Sequence, residues 1–238
     1  MNTDHPFYDP ATHGFVRVAA ATPRVAVADP LANADGTVEL ARQAHDRHVD
    51  LVVYPELGVS SYAIEDLHLQ DALLQSVDDA LGRVVQASVG LRPVLLVGAP
   101  LRRNGRVYNC AVVISRGEVL GVVPKSFLPN YREYYEKRWF APGAGIVGAE
   151  IAVAGQLAPF GTDLRFVASD HDGLDFHVEI CEDYWAATPP SSLGALAGAL
   201  ILTNLSASNI VIGKATGGFC TSAGELTFAL MMAVMRQI

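Results

Sequence analysis

The chain has 238 residues, 50% of them hydrophobic and 18% charged, with a formal net charge of -8. That length suits one large α/β or all-β domain as well as two small ones and is ample to bury a core, and the composition excludes a disordered chain. The acidic balance lacks the basic patch that a phosphate-backbone binder needs, which argues against nucleic acid as a main partner.

The first ten residues, "MNTDHPFYDP", carry no basic segment followed by an apolar one, so they do not read as a secretory signal. "FVRVAAA" (15–21) reads as a strand, Leu31 to His48 as a helix, and "DLVVYPEL" (50–57) as a buried strand with a polar end. A second helix fits 69–89, where Leu73, Leu74, Val77, Leu81, Val84 and Val85 share one face. The pattern then changes. Residues 93–101, 107–115 and 118–125 are consecutive apolar strands split by Asn104-Gly105 and Arg116-Gly117, which are hairpin signals.

"SFLPNYREYYEKRWFAPGAG" (126–145) is a long loop too rich in aromatic residues for disorder, and loops of this length in a compact domain are commonly functional. Strands return at 163–169, 174–181 and 199–206. The apolar runs "LGALAGALIL" and "FALMMAVM" fall well short of the roughly 18 residues a membrane span requires. Cys110, Cys181 and Cys220 are an odd, sparse set without zinc-site spacing, better suited to a reducing compartment than to a disulfide framework. A cytoplasmic chain of one α/β domain, with no membrane partner, is expected.

Three strand ends share a pattern: "VVYPEL" ends on Glu56, "VVPKS" on Lys125 and "VEICED" on Cys181. Catalytic groups collect at such ends in α/β sheets. Each residue alone has a plainer reading, as an exposed carboxylate, a solvated lysine and a small buried hydrophobe. Together they have a chemical logic. A carboxylate can take the proton that a thiol must lose to attack, while an ammonium favours the thiolate and then meets the oxyanion of the adduct. The backbone N–H of Glu182, the residue after the nucleophile, can help with the oxyanion.

"VVYPELGVSSY", "GVVPKSFLPNYREYYEKRWFAPG" and "HVEICEDYW" followed by "LTNLSASN" resemble the nitrilase, or carbon–nitrogen hydrolase, superfamily, whose Glu–Lys–Cys triad runs in this order. The resemblance extends from "GFVRVAAA" to "NLSASN" and implies a four-layer α-β-β-α sandwich with its site at strand ends. It implies that Glu136 positions the lysine and the substrate, and that Asn204 and Ser206 mark a strand end packed near the nucleophile; turn chemistry is the plainer alternative there. "SSYAIEDLHLQDALL", "PKSFLPNYREYYEKRWFAPG" and "VEICEDYW" are similar, more specifically, to the glutaminase domains of glutamine-dependent NAD synthetases. In those enzymes released ammonia serves a separate ATP-using synthetase domain, and the resemblance implies a homo-oligomer for the full-length family but not for this shorter chain.

No Ser-Gly-Gly pyrophosphate loop occurs in the chain. No cofactor is therefore assigned, ATP and magnesium belonging to the synthetase domain. Tyr62 and Tyr131 are candidates to line a pocket for glutamine or another small amide, ordered-loop packing being the alternative. Glu182, Asp183 and Ser206 are candidates for contacts to the substrate's charged groups, and the sequence does not choose among them.

After "NLSASNIVIGKA" the family pattern calls for a helix carrying arginine, alanine and tyrosine, then further strands. The chain reads "TGGFCTSAGELTFALMMAVMRQI" instead. Residues 1–215 are thus read as a hydrolase domain incomplete at its C-terminal side and 216–238 as a divergent tail, with Met231, Met232 and Met235 on an apolar closing helix over an unfinished sheet. Three functions stay open: a glutamine amidohydrolase domain, a stand-alone amidase acting on another small amide, and an inactive fragment that keeps the motifs.

Overall fold

The computed structural model describes residues 5, 7, 10–171, 173–208 and 228–233. The first α/β segment runs β1 (Val18–Ala20), α1 (Pro30–Asp46), β2 (Leu51–Val53), α2 (Asp71–Ser88) and β3 (Val94–Arg103). The three strands pair in parallel. Asp29 caps α1 by accepting from the Ala32 N–H at 3.1 Å, and Pro30 occupies the first helical position, where its missing N–H costs nothing. Leu73, Val77, Leu81, Val84 and Val85 of α2 are buried as the periodicity predicts.

The sheet continues antiparallel through β4 (Arg106–Ser115) and β5 (Glu118–Pro124). Asn104-Gly105 and Arg116-Gly117 make the connecting turns with positive φ at both residues, as two-residue hairpins with the twist of their strands require. The sequence reading passed over a third hairpin, β6 (Ala149–Val153) with β7 (Gln156–Phe160), turned by Ala154-Gly155 at φ +50° and +73°. Alanine is a poor marker for a left-handed position, which hid it. The order across this seven-stranded sheet is β1-β2-β3-β4-β5-β7-β6.

The second sheet holds β8 (Arg165–Val167), β9 (Asp175–Ile180), β10 (Ile201–Ser206) and β11 (Phe228–Ala233), in the order β11-β10-β9-β8. The expected closing helix is not found at Phe228–Ala233. This backbone is a strand, paired antiparallel with β10 along its whole length. The outer edge of β10 carries unpaired N–H and C=O groups, and an extended segment satisfies them where a helix cannot. Met235, Cys220 and the 209–227 part of the tail lie outside the described residues.

Alternation along the strands builds two cores. Val52, Leu95, Val97, Val112 and Ile114 face α1 and α2, while Leu51, Val53, Leu96, Ala111 and Val113 meet Phe176, Val178, Ile180 and Leu205 of the second sheet. A short helix that the sequence reading missed, α3 (Pro190–Leu196), covers the far side of β9 and β10. Gly194 lets it approach, since a Cβ there would lie 2.5 Å from His177 Cγ. The layers are therefore α-β-β-α, as expected. Among the described residues no helix is long and apolar enough to cross a membrane.

β2 ends at Val53, short of the expected residue 57, and residues 54–60 turn tightly over β3. Gly98 makes room: a Cβ there would lie 2.2 Å from Pro55 O and 2.5 Å from Leu57 N, both backbone atoms. Replacing a strand glycine by alanine ordinarily stabilises, by about 0.5–1 kcal/mol. Gly98→Ala should instead destabilise by about 1–3 kcal/mol through overpacking. Urea unfolding measures this, and a variant as stable as the parent would show that the turn shifts without cost.

Candidate active site

Glu56 leaves the tight turn at the end of β2, next to Leu57, whose φ is +52°. Lys125 follows β5, and Gly143 packs so closely on Pro124 that a Cβ would lie 2.8 Å from its carbonyl oxygen. The Gly143 N–H donates to Lys125 O at 2.7 Å, and the Lys125 N–H to Asn109 O at 2.8 Å, so the lysine backbone is held on both sides. Both side chains are fully buried. Lys125 Nζ donates to Glu56 Oε1 at 2.7 Å and to Glu136 Oε1 at 2.8 Å. Burial alone would lower the Lys125 pKa; Glu136 and Glu56, with Cys181, carry it well above its ordinary value, so the ammonium persists.

Glu136 begins the 3-10 turn Glu136–Arg138 in the long loop and is fully buried. Burial raises its pKa, Lys125 pulls it back, and Glu56 raises it again. Tyr62 Oη also donates to Glu136 Oε1, at 2.6 Å. The Tyr62 hydroxyl, pushed far up by burial and by Glu136 and Glu56, stays protonated.

Sequence reasoning missed Asn109, whose Nδ2 donates to Glu56 Oε1 at 2.7 Å. Its signal was a polar residue in the middle of the apolar strand "VYNCAVVIS". The Ala207 N–H donates to Glu56 Oε2 at 3.0 Å. Glu56 is thus a carboxylate with two donors on Oε1 and one on Oε2, which leaves Oε2 as the oxygen with room for a proton.

Cys181 closes β9 with φ +45° and starts the 3-10 turn Cys181–Trp185. Burial and the Glu56 charge push its thiol up to about 12, while Lys125 and the neighbouring Ser206 hydroxyl pull it down. Desolvation and the Glu56 charge outweigh the Lys125 ammonium, so the surroundings favour the neutral thiol.

Tyr131 is half exposed and donates to Glu182 Oε2 at 2.9 Å, raised to about 12 by burial and by that carboxylate. Glu182 and Tyr131 edge a cavity of about 660 Å³ that Ser126, Leu128 and Phe140 also line. Asp183 faces elsewhere: Oδ1 accepts from the Ser126 and Phe127 N–H groups at 3.0 and 2.7 Å, and Oδ2 from the Ile180 N–H at 3.1 Å. Burial pushes it up to about 7. With both oxygens occupied it is not available to a substrate, which removes it from the candidate contacts. No group of three or more potential metal ligands occurs among the described residues.

Residues 17–223 match the carbon-nitrogen hydrolase family. The chain belongs to that family. It is 56% identical over 209 residues to the glutamine-dependent NAD(+) synthetase of Mycobacterium tuberculosis, covering 88% of this chain and 31% of that protein. It is also 32% identical over 200 residues to the enzyme of that name from Thermotoga maritima, covering 84% and 31%. The chain thus spans about a third of the length of these relatives. Among solved structures, a glutamine-dependent NAD(+) synthetase from Cytophaga hutchinsonii superposes with a TM-score of 0.71 at 26% identity, covering 84% of this chain and 32% of that one. A nitrilase-superfamily amidase from Nesterenkonia AN1 shares the fold with a TM-score of 0.60 at 20% identity, covering 82% and 66%.

The carboxylate and the depth of burial hold Cys181 protonated across the physiological range. Its alkylation rate should therefore keep climbing with pH through pH 10. Peptide mapping should find the label on Cys181 before Cys110, which is fully buried and whose thiol burial likewise pushes up. A rate that levels off below pH 8 would mean that the thiolate is already formed at rest.

Proposed function

We propose that this hydrolase-family chain is a glutamine amidohydrolase domain that releases ammonia, with Cys181 as nucleophile, Glu56 as base and Lys125 as oxyanion partner. The observation that carries it is the buried meeting of these groups: Lys125 Nζ bonds Glu56 at 2.7 Å, and the Cys181 thiol lies in the field of both. The 56% identical relative is a glutamine-dependent enzyme, which supports glutamine as the amide.

The Cys181 proton passes to Glu56 Oε2 as Sγ bonds the amide carbon, and the carbonyl oxygen becomes an oxyanion facing Lys125 Nζ and the Glu182 N–H. The C–N bond then breaks as protonated Glu56 returns its proton to the leaving nitrogen, releasing ammonia and leaving a thioester. Glu56 next takes a proton from water, whose oxygen attacks the thioester carbon. The C–S bond breaks, glutamate leaves, and the proton goes back to Cys181. Because the resting thiol is protonated, proton transfer and attack occur together in this scheme. Glu182, steadied by Tyr131 at the edge of the cavity, supplies the counter-charge for the substrate ammonium, while Tyr62 and Ser206 lie deeper, Tyr62 on Glu136 and Ser206 beside the Cys181 thiol.

Cys181→Ala removes the nucleophile and few packing atoms. It should abolish ammonia release from glutamine while unfolding like the parent; release at the parent's rate ends the triad scheme. The same assay with asparagine and simple aliphatic amides tests the substrate, since the scheme expects glutamine to be preferred.

Lys125→Met has two expected effects. Loss of one preorganised oxyanion donor should lower kcat by on the order of 10²–10³. The variant also leaves Glu56 and Glu136 facing each other in the interior, and removing one member of a buried ionic cluster costs about 3–5 kcal/mol. Steady-state kinetics and thermal unfolding of the same preparation separate the two. Near-parent turnover with weakened binding would move Lys125 from catalysis to recognition.

A further inference from the structure

The left-handed backbone of Cys181 needs an explanation. A residue with a Cβ at positive φ costs about 1–2 kcal/mol and persists only where the surroundings over-determine it. β9 leaves the sheet ladder at Ile180, so the N–H and C=O of Cys181 are without strand partners. Asn204, in register with Glu179 on the neighbouring β10, supplies both. Its Oδ1 accepts from the Cys181 N–H at 3.0 Å, and its Nδ2 donates to the Cys181 C=O at 3.3 Å. One side-chain amide thus clasps the two ends of the nucleophile's own backbone unit.

Which way that amide points is also fixed. Asn204 Nδ2 lies 3.3 Å from Glu179 Oε1, a buried carboxylate oxygen that can only accept. Glu179 is itself held, with Oε2 accepting from the Ser191 N–H in the first turn of α3 at 2.9 Å. Flipping the Asn204 amide would set a donor against the Cys181 N–H and an acceptor against Glu179. The relay runs from α3 through Glu179 and Asn204 to Cys181, and none of its members but the last touches the reacting atoms.

We propose that Asn204, oriented by Glu179, is a positioning residue that holds Cys181 in the left-handed conformation from which its thiol is presented to Glu56 and Lys125. The proposal deepens the amidohydrolase scheme and rests on Cys181 being the nucleophile. Misplacing a reacting group by about 1 Å costs on the order of 10²-fold in rate. Asn204→Leu, which removes donor and acceptor, and the isosteric Asn204→Asp, which keeps the acceptor and sets a second carboxylate against Glu179, should therefore lower kcat for glutamine by roughly 10- to 100-fold with KM little changed.

Both variants should slow iodoacetamide alkylation of Cys181, followed by peptide mapping, by at least about 10-fold. The double variant Glu179→Gln with Asn204→Asp restores a donor–acceptor match between the two positions and should recover part of the loss. Alkylation does not depend on what the substrate is. Slower labelling in a chain that hydrolyses no glutamine would sink the glutaminase scheme and leave the positioning role standing. Should Asn204→Leu not fold, Asn204→Asp carries the test. Parent-like labelling and parent-like kcat in a folded Asn204 variant, or no recovery in the double variant, would overturn the proposal.

Discussion

Everything near the site depends on one buried carboxylate. Glu56 accepts from Lys125 after β5, from Asn109 within β4 and from the Ala207 N–H after β10. It therefore joins strands from both sheets at one buried point. An unpaired carboxylate in this interior would be prohibitive; three donors make it tolerable and, at the same time, orient it. Lys125 is the shared partner of two such groups, so the charge that suits an oxyanion is also the charge that lets Glu56 and Glu136 coexist away from water.

The cysteine lives under the opposite pressure. The surroundings that hold Glu56 also suppress ionisation of Cys181, since burial and Glu56 act together against the thiolate. In the proposed scheme such a thiol is activated when Glu56 receives its proton rather than by resting as an anion. Cys110, in an apolar strand with no base beside it, feels burial without any such proton acceptor.

Much of this was legible in the sequence. The strand-ending motifs around Glu56, Lys125 and Cys181 stood out because each puts a polar group where an apolar run stops, and the Asn-Gly and Arg-Gly turns set the antiparallel part of the larger sheet. What stayed hidden was cooperative. Asn109 is one polar letter in a hydrophobic strand, and its partner Glu56 lies 53 residues away. The Ala207 contact belongs to the backbone and has no side-chain signature. Gly98 looks like any strand glycine until the turn that crosses it is known. The expected closing helix fails at Phe228–Ala233 because an apolar stretch such as "FALMMA" fits helix and strand equally, and the open edge of β10 settles it in favour of the strand.

Asp183 gives the site a mechanical property. By gripping the backbone after Lys125 with one oxygen and the backbone before Cys181 with the other, it fastens two separate loops into a single jaw. The ammonium end of that jaw is tied in turn to the aromatic loop, through Glu136 on Lys125 Nζ and the Gly143 N–H on the Lys125 carbonyl. Compliance is left to the outer rim, where Tyr131 is half exposed and tethered through the Glu182 side chain. Such a division puts the exposed side chains at the rim and the fully tied ones behind it, so a substitution at Tyr131 alters the edge of the cavity without cutting any tie between the two loops.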